Sequence, residues 1–312
     1  MSSSRRLDLD GLRGARVRLI EVGPRDGLQN ERAIPTTDKI AFVNRLAQAG
    51  HRTIEVSAFV SPTWVPEMAD AAEVFRGLTR VLGVRYTALV PNLKGLARAC
   101  EAGVDEIAIF AATSETFSRR NINQSIAESL ETYAAVCAEA ATAGLRARGY
   151  LSTCFGCPFE GHVPPARVAT IARQLIEIGV YEVAISDTIG IAHPAQVADV
   201  LDMVADRLTL DQIALHFHDT RGTALVNVLT GLQHGVRTFD ASAGGLGGCP
   251  YAPGAAGNLA TEDLLYMLDG LGVDTGVSLE GVMEASIALE ATLGHPLPSR
   301  VVQAHKAAKT QR

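Results

Sequence analysis

The stretch PARVATIARQLIEIGVYEVAISD, residues 165–187, contains a helix pattern, a glycine, a largely apolar strand and a final aspartate, in that order. Apolar residues recur at helical spacing over 165–178, and Gly179 is a typical helix stop. The run Glu182–Ser186 is short and apolar, as expected of a strand buried on both faces. The segment therefore predicts a helix packed on a parallel strand, with Asp187 at the carboxyl end of that strand.

The same alternation of strands and helices runs through about 250 residues, the usual length of an α/β barrel. Eight strands are predicted, at Val17–Val22, Thr53–Val56, Tyr86–Val90, Glu106–Phe110, Ala147–Ser152, Glu182–Ser186, Ile213–Phe217 and Thr238–Ala241. The clearest of the intervening helices are predicted at Thr37–Ala49, Ser125–Ala143, Pro165–Ile178, Pro194–Arg207 and Thr223–His234.

Eight such units predict an α/β fold, a (β/α)8 TIM barrel with a short C-terminal helical extension. A doubly wound sheet is the alternative, but it usually has fewer strands and often a glycine-rich phosphate loop after the first strand. Here the first strand is followed by GPRDG, residues 23–27, which fits neither phosphate-loop pattern. We expect residues 1–275 to form the catalytic barrel and 276–312 to form the extension, with a helix near Glu280–Leu293.

Composition excludes several classes of partner. The chain has 312 residues, and its 34 acidic and 28 basic residues give a formal net charge of −6. Nucleic-acid binding depends on neutralising phosphates, so no nucleic-acid partner is expected. No apolar segment is long enough to cross a bilayer, so no membrane partner is expected. Five scattered cysteines and the lack of a targeting pattern favour a reducing compartment, the cytoplasm.

Polar side chains follow six of the predicted strands. Active sites of barrels lie at the carboxyl ends of the strands, so these residues predict a site at one mouth. They are Arg25 and Asp26 after the first strand, Glu55 on the second, Cys154 and Cys157 after the fifth, Asp187 after the sixth, His216 and His218 on and after the seventh, and Cys249 and Asn258 after the eighth.

The pattern His216-x-His218 is the strongest local signal for a metal. Residues two apart on a strand face the same way, so both imidazoles point into one space. Two ordinary hydrogen-bonded histidines are the alternative. Because Asp26 and Asn258 are predicted at neighbouring strand ends, a mixed nitrogen and oxygen site is favoured, and this donor set suits Mg2+, Mn2+, Zn2+ or Fe2+.

Three further features bear on chemistry. At a barrel mouth, Arg25 is suited to holding a carbonyl that becomes an enolate, with Glu55 orienting it; a charged surface pair is the alternative. Cys249 lies in a loop with six glycines among residues 244–258, where a thiol could act as acid, base or nucleophile, or could be buried and inert. The lone pair Cys154 and Cys157 is interpreted as structural, because a zinc site would need further ligands.

Several motifs together resemble the hydroxymethylglutaryl-CoA lyase family. They occur in the family order over residues 18–275, and they are EVGPRDGLQNE (21–31), IEVSAFVSP (54–62), PNLK (91–94), NIN (121–123), GCP (156–158), DTIG (187–190), HFHDT (216–220) and the glycine-rich loop through ATED (260–263). The resemblance implies a metal-dependent barrel lyase that splits 3-hydroxy-3-methylglutaryl-CoA into acetyl-CoA and acetoacetate, a reaction of leucine degradation and ketone-body formation.

The resemblance also implies roles for individual residues. The divalent cation, Mg2+ or Mn2+, would be held by Asp26, His216, His218 and Asn258. The catalytic residues would be Arg25 for the enolate, Asp26 or His216 as the base, Cys249 for proton transfer, and Glu55. Asp187 would support the site. The partners would be the acyl-CoA substrate and a second copy of the chain in a homodimer.

Three positions depart from the commoner family pattern. Ala58 and Ala184 stand at two positions near the acyl pocket where the family pattern has a hydroxyl side chain, which leaves the exact acyl group open, and Arg221 replaces a frequent tyrosine. Two other functions stay as alternatives. An isopropylmalate synthase-like condensation of acetyl-CoA would need a longer C-terminal region, and a non-catalytic CoA-binding barrel would lack the metal set or Arg25.

Overall fold

Eight parallel strands close into a barrel in chain order, as predicted. The computed structural model describes residues 10–248 and 257–310. The strands are β1 (Arg18–Glu21), β2 (Thr53–Ala58), β3 (Arg85–Leu89), β4 (Glu106–Ala112), β5 (Arg146–Ser152), β6 (Val180–Asp187), β7 (Ile213–Phe217) and β8 (Thr238–Ala241). Pairing of β1 with β8 completes the ring, so the ends of β1, β7 and β8 lie side by side.

Helices follow the strands on the outside of the barrel. They are α1 (Thr36–Gln48), α2 (Ala71–Gly77), α3 (Leu93–Glu101), α4 (Glu115–Ile122), α5 (Ile126–Thr142), α6 (Pro165–Glu177), α7 (Pro194–Ala205), α8 (Ala224–Gln233), α9 (Thr261–Gly270), α10 (Leu279–Leu293) and α11 (Arg300–Thr310). The predicted helix ends differ from these by one or two residues, the usual uncertainty where a helix frays. Within the described ranges, no helix has both the length and the apolar character that a membrane crossing requires.

The barrel interior contains ionic groups as well as apolar layers. Glu55, Arg148, Glu182 and Asp240 are each at most 2% exposed. Burying a charge is costly unless it is paired; Glu55 pairs with Arg25, and Arg148 pairs with both Glu182 and Asp240. The interior therefore combines packing with a fixed arrangement of charges beneath the mouth.

The C-terminal helices pack against the barrel. α10 contacts α1. The backbone N–H groups of Arg300 and Val301, at the start of α11, donate to the carboxylate of Asp263 in α9, as does the Ser299 hydroxyl. The guanidinium of Arg300 donates to Asp219, next to His218. A domain boundary at residue 275 stays a prediction, although these helices do follow the barrel.

Candidate active site

A single turn of π-helix, Gly23–Gly27, places Arg25 and Asp26 at the mouth directly after β1. The carbonyl of Val22 accepts the backbone N–H groups of three residues of this turn. The buried carboxylate of Glu21 fixes its start, because it accepts the N–H groups of Gly23 and Ala243, each at 2.8 Å. The turn at the end of β1 is thereby tied to the segment that follows β8.

The structure brings together the four residues that were predicted to hold a cation. One potential ligand atom from each of Asp26, His216 and His218 lies within 4.8 Å of the other two. The two imidazole centroids are 5.3 Å apart. Asn258 joins them, because its Nδ2 donates to Oδ2 of Asp26 at 2.8 Å and its backbone forms a β-bridge to His218.

Charge and burial suit these groups to a cation. Burial opposes the ionisation of Asp26, but Arg25, His216 and His218 outweigh it and hold the pKa of that carboxyl well below its usual range. Burial lowers the pKa of His218 to about 4, so this imidazole is neutral at pH 7. An ionised carboxylate beside a neutral imidazole is the protonation state that metal ligands require.

Two buried polar atoms of this group are unsatisfied. Nδ1 of His218 and Oδ1 of Asn258 have no hydrogen-bond partner among the described residues. A buried acceptor without a partner costs about 1–3 kcal/mol. Because both atoms belong to the predicted ligands, a bound cation is a fitting partner for this pocket.

Arg25 is held in place by two carboxylates. Its Nε donates to Oε2 of Glu55 and its Nη1 to Oδ1 of Asp26, both at 2.6 Å. The guanidinium is 5.4 Å from the ring centroid of Tyr150, whose hydroxyl donates to the same Glu55 oxygen at 3.2 Å. Glu55 thus contacts Arg25 directly, and its predicted role in orienting Arg25 for an enolate stays a prediction. Tyr150 was not predicted as a site residue. The sequence feature that could have indicated it is its spacing of two from Arg148 on β5, because residues two apart on a strand face the same side.

Asp187 lies next to His218, whose backbone N–H donates to its carbonyl at 3.3 Å, and it organises a loop. Its two carboxylate oxygens accept the N–H groups of Ile191 and Ala192 at 3.0 and 2.9 Å, and burial raises its pKa to about 6. The guanidinium of Arg221 also binds this loop, because it donates to the carbonyls of Ile189 and Gly190. A supporting role for Asp187 stays a prediction.

The cysteines divide into two cases. Cys154 and Cys157 are buried thiols, and they donate to the carbonyl of Leu151 and to the hydroxyl of Ser114 respectively. Burial raises the pKa of Cys154, which suits the interpretation as a structural residue. Cys249 lies outside the described residues, so its predicted role stays a prediction.

The glycines on either side of residues 249–256 pack tightly. A Cβ on Gly257 would lie 2.5 Å from the carbonyl oxygen of Gly245 and 2.6 Å from that of Gly247. Gly247 has φ +108°, and a Cβ there would lie 2.4 Å from Nδ2 of Asn258. Glycine is required at this close approach, which brings residues 245–247 next to Gly257 and Asn258.

Comparisons with known proteins agree with this architecture. The HMGL-like family model matches residues 16–288. The crystal structure of a Bacillus subtilis HMG-CoA lyase is 50% identical, with a TM-score of 0.93, and the match covers 94% of this chain and 99% of that one.

Two further matches bear on the ligand. A 3-hydroxy-3-isohexenylglutaryl-CoA/hydroxymethylglutaryl-CoA lyase of Pseudomonas aeruginosa is 50% identical over 290 residues, which are 93% of this chain and 97% of the relative. An Acinetobacter baumannii HMG-CoA lyase, solved with coenzyme A and 3-methylmalate, is 38% identical, with a TM-score of 0.89 and 97% coverage of each chain.

Proposed function

The chain belongs to the HMGL-like family, and from this we propose that it is a carbon–carbon lyase that cleaves 3-hydroxy-3-methylglutaryl-CoA into acetyl-CoA and acetoacetate. The observation that carries the proposal is the cluster of Asp26, His216 and His218 beside a guanidinium fixed by Glu55. The family relatives are named as lyases of this substrate class, and one was solved with coenzyme A.

A divalent cation fits the residues present. Asp26, His216, His218 and Asn258 would hold it, and the unpartnered atoms of His218 and Asn258 support this assignment. Nitrogen and oxygen donors without a thiolate suit a hard or borderline ion, and we propose Mg2+ or Mn2+. When bound, such a cation makes a hydroxyl more acidic and neutralises charge that develops on oxygen.

The surrounding residues would handle the proton and the developing charge. Cleavage between C2 and C3 requires the C3 hydroxyl to lose its proton, and Asp26 and His216 are the candidate acceptors. The electron pair of the broken bond moves onto the thioester as an enolate, whose oxygen Arg25 would stabilise. Cys249 would return a proton to carbon.

Two observations bear on the acyl group of the substrate. Ala58 is the last residue of β2 and Ala184 lies within β6, and both are buried, at 2% and 0% exposure. The name of the Pseudomonas aeruginosa relative includes a substrate with a longer 3-alkyl group. We therefore propose 3-hydroxy-3-methylglutaryl-CoA or a close 3-alkyl analogue.

The decisive experiment offers the purified protein a panel of 3-hydroxy-3-alkylglutaryl-CoA thioesters with Mg2+, with Mn2+ and with EDTA. We expect acetyl-CoA and the 3-oxo acid in equal amounts, and loss of activity in EDTA that added metal restores. Full activity in EDTA would refute the metal assignment. Consumption of acetyl-CoA with a 2-oxo acid would instead indicate the condensing alternative, and inactivity toward the whole panel a non-catalytic barrel.

Two broader properties are proposed from the family resemblance. We propose a homodimer in the cytoplasm. Light scattering on the purified protein would test the dimer, since a mass near twice 33.0 kDa is expected. Cell fractionation would test the location.

A further inference from the structure

A buried ionic network of Arg148, Asp240, Glu182 and Arg18 lies next to His216, one of the proposed metal ligands. Arg148 grips Asp240 with both terminal nitrogens, Nη2 to Oδ1 at 2.8 Å and Nη1 to Oδ2 at 3.3 Å. Its Nε donates to Oε1 of Glu182 at 2.8 Å, and the other oxygen of Glu182 accepts from Arg18. Two arginines thus balance two carboxylates, and the network is neutral as a whole.

The network ends on one of the predicted metal ligands. Asp240 and His216 are register partners on β8 and β7, and Oδ2 of Asp240 lies 3.3 Å from Nδ1 of His216. An ionised carboxylate held by Arg148 can only accept, so Nδ1 must carry the proton of this bond. A neutral imidazole protonated at Nδ1 has its lone pair on Nε2, on the ring edge that faces away from Asp240.

Stability alone does not account for this arrangement. Replacing a buried ion pair by apolar residues of similar volume is often neutral or stabilising. Asp240, Arg148 and Glu182 are at most 2% exposed, so their desolvation cost is close to its maximum. An apolar interior could fill the same space, but it could not select one tautomer of a histidine.

We propose that Asp240 is a positioning residue, which fixes His216 in the Nδ1–H tautomer and presents the Nε2 lone pair to the site, and that Arg148 holds Asp240 for this task. Metal-binding histidines usually donate their second ring N–H to such a carboxylate. The inference rests on the proposed metal-dependent function, because the Nε2 lone pair is what a cation or a hydroxyl proton would use.

The tautomer can be measured without any substitution. In metal-free wild-type protein labelled with 15N at histidine, two-bond proton–nitrogen correlations identify which ring nitrogen carries the proton. We expect the neutral ring of His216 to be protonated at Nδ1. Protonation at Nε2 would overturn the inference, and the result does not depend on a variant that folds.

A pair of matched variants tests the consequence for the site. Asp240→Asn and Glu182→Gln each remove one negative charge from the same network, but only Asp240 contacts His216. By calorimetric titration with Mn2+, Asp240→Asn should weaken binding by about 10–100-fold, and Glu182→Gln by less than about 3-fold.

The remaining outcomes separate the two proposals. Equal weakening in both variants would show that the network acts through stability or overall charge. Unchanged Mn2+ binding in Asp240→Asn would show that this carboxylate does not position His216. Either result would overturn the inference. If wild-type protein bound no Mn2+, the proposed function would fail, and the tautomer of His216 would still decide whether Asp240 positions the ring.

Discussion

Nδ2 of Asn258 donates to Oδ2 of Asp26 across 2.8 Å and so joins the end of β1 to the segment after β8, 232 residues later in the chain. A second bond from the same nitrogen to the carbonyl of Leu246 fixes the amide orientation. Both hydrogens of the amide are therefore used on protein acceptors. The Oδ1 atom, which lacks a partner in the described structure, is left for the cation site.

Replacing Asn258 should therefore reduce metal affinity. Asn258→Ala removes a predicted ligand oxygen and the bond that positions Asp26, so Mn2+ should bind at least about 10-fold more weakly, as measured by calorimetry. Asn227→Ala is the matched control, since Asn227 is also buried and hydrogen-bonded through Nδ2 but lies in α8. Equal affinities of wild-type and Asn258→Ala protein would remove Asn258 from the ligand set.

The fixed guanidinium of Arg25 leads to a kinetic prediction. Arg25→Lys keeps the charge but cannot bond Glu55 and Asp26 as a planar fork. We expect kcat to fall by about 10²–10³ with Mn2+ affinity within a few-fold of wild type, as for loss of one donor to a developing oxyanion. Arg76→Lys, at a side chain 66% exposed, should behave as wild type. A kcat within 3-fold of wild type would argue against the enolate role of Arg25.

Glu262 gives a prediction about pH and stability. Burial raises its pKa to about 7, although Gly244 and Ser286 donate hydrogen bonds to it. Between pH 4.5 and 7 the folded protein therefore holds a proton that the unfolded chain has released. The contribution of this group to the free energy of unfolding is full below pH 4.5 and falls by about 3 kcal/mol as pH rises to 7.

Urea unfolding at several pH values checks this dependence. Glu262→Gln cannot ionise, so wild-type stability should fall relative to that variant as pH rises through this window. Glu284→Gln, at an exposed position of α10, should follow wild type at every pH. Parallel curves for wild type and Glu262→Gln would mean that folding does not raise the pKa of Glu262.

The close packing at Gly257 predicts a structural effect on the site. Gly257→Ala places a methyl group 2.5–2.6 Å from two carbonyl oxygens, so the flanks of the segment must separate. Overpacking of this kind costs about 1–3 kcal/mol, and we expect weaker Mn2+ binding because Asn258 is the next residue. Gly270→Ala is the control, since a Cβ there would have no described atom within 4 Å apart from its chain neighbours and the backbone of its own helix. Unchanged metal affinity in Gly257→Ala would contradict this account.

The strand order and the clustering of the polar strand ends could be predicted because both follow from local patterns. Ile213–Phe217 was predicted with its observed bounds, since its apolar run stops at charged and turn residues. The gathering of Asp26 and His216 then follows from closure, because the carboxyl ends of all strands in a parallel barrel meet at one mouth.

The buried network could not be predicted in the same way. Arg148, Glu182 and Asp240 lie on three different strands, and the sequence of a strand does not show which charge on another strand its own charged residue will pair with. Their pairing depends on the registers between β5, β6, β7 and β8, which include an irregularity between Ala147 and Gly149. Arg148, Glu182 and Asp240 meet inside the barrel only because the eight strands close into a ring.

The anchorage of α11 has a consequence for how the protein tolerates trimming from its C-terminal side. Asp263 accepts three hydrogen bonds from residues 299–301, and Arg300 donates to Asp219 beside His218. The start of α11 therefore stabilises the loop that carries His218. Progressive digestion by a carboxypeptidase should leave turnover intact while the outer turns of α11 are removed. Turnover should then fall abruptly once Arg300 is lost, before the barrel itself melts.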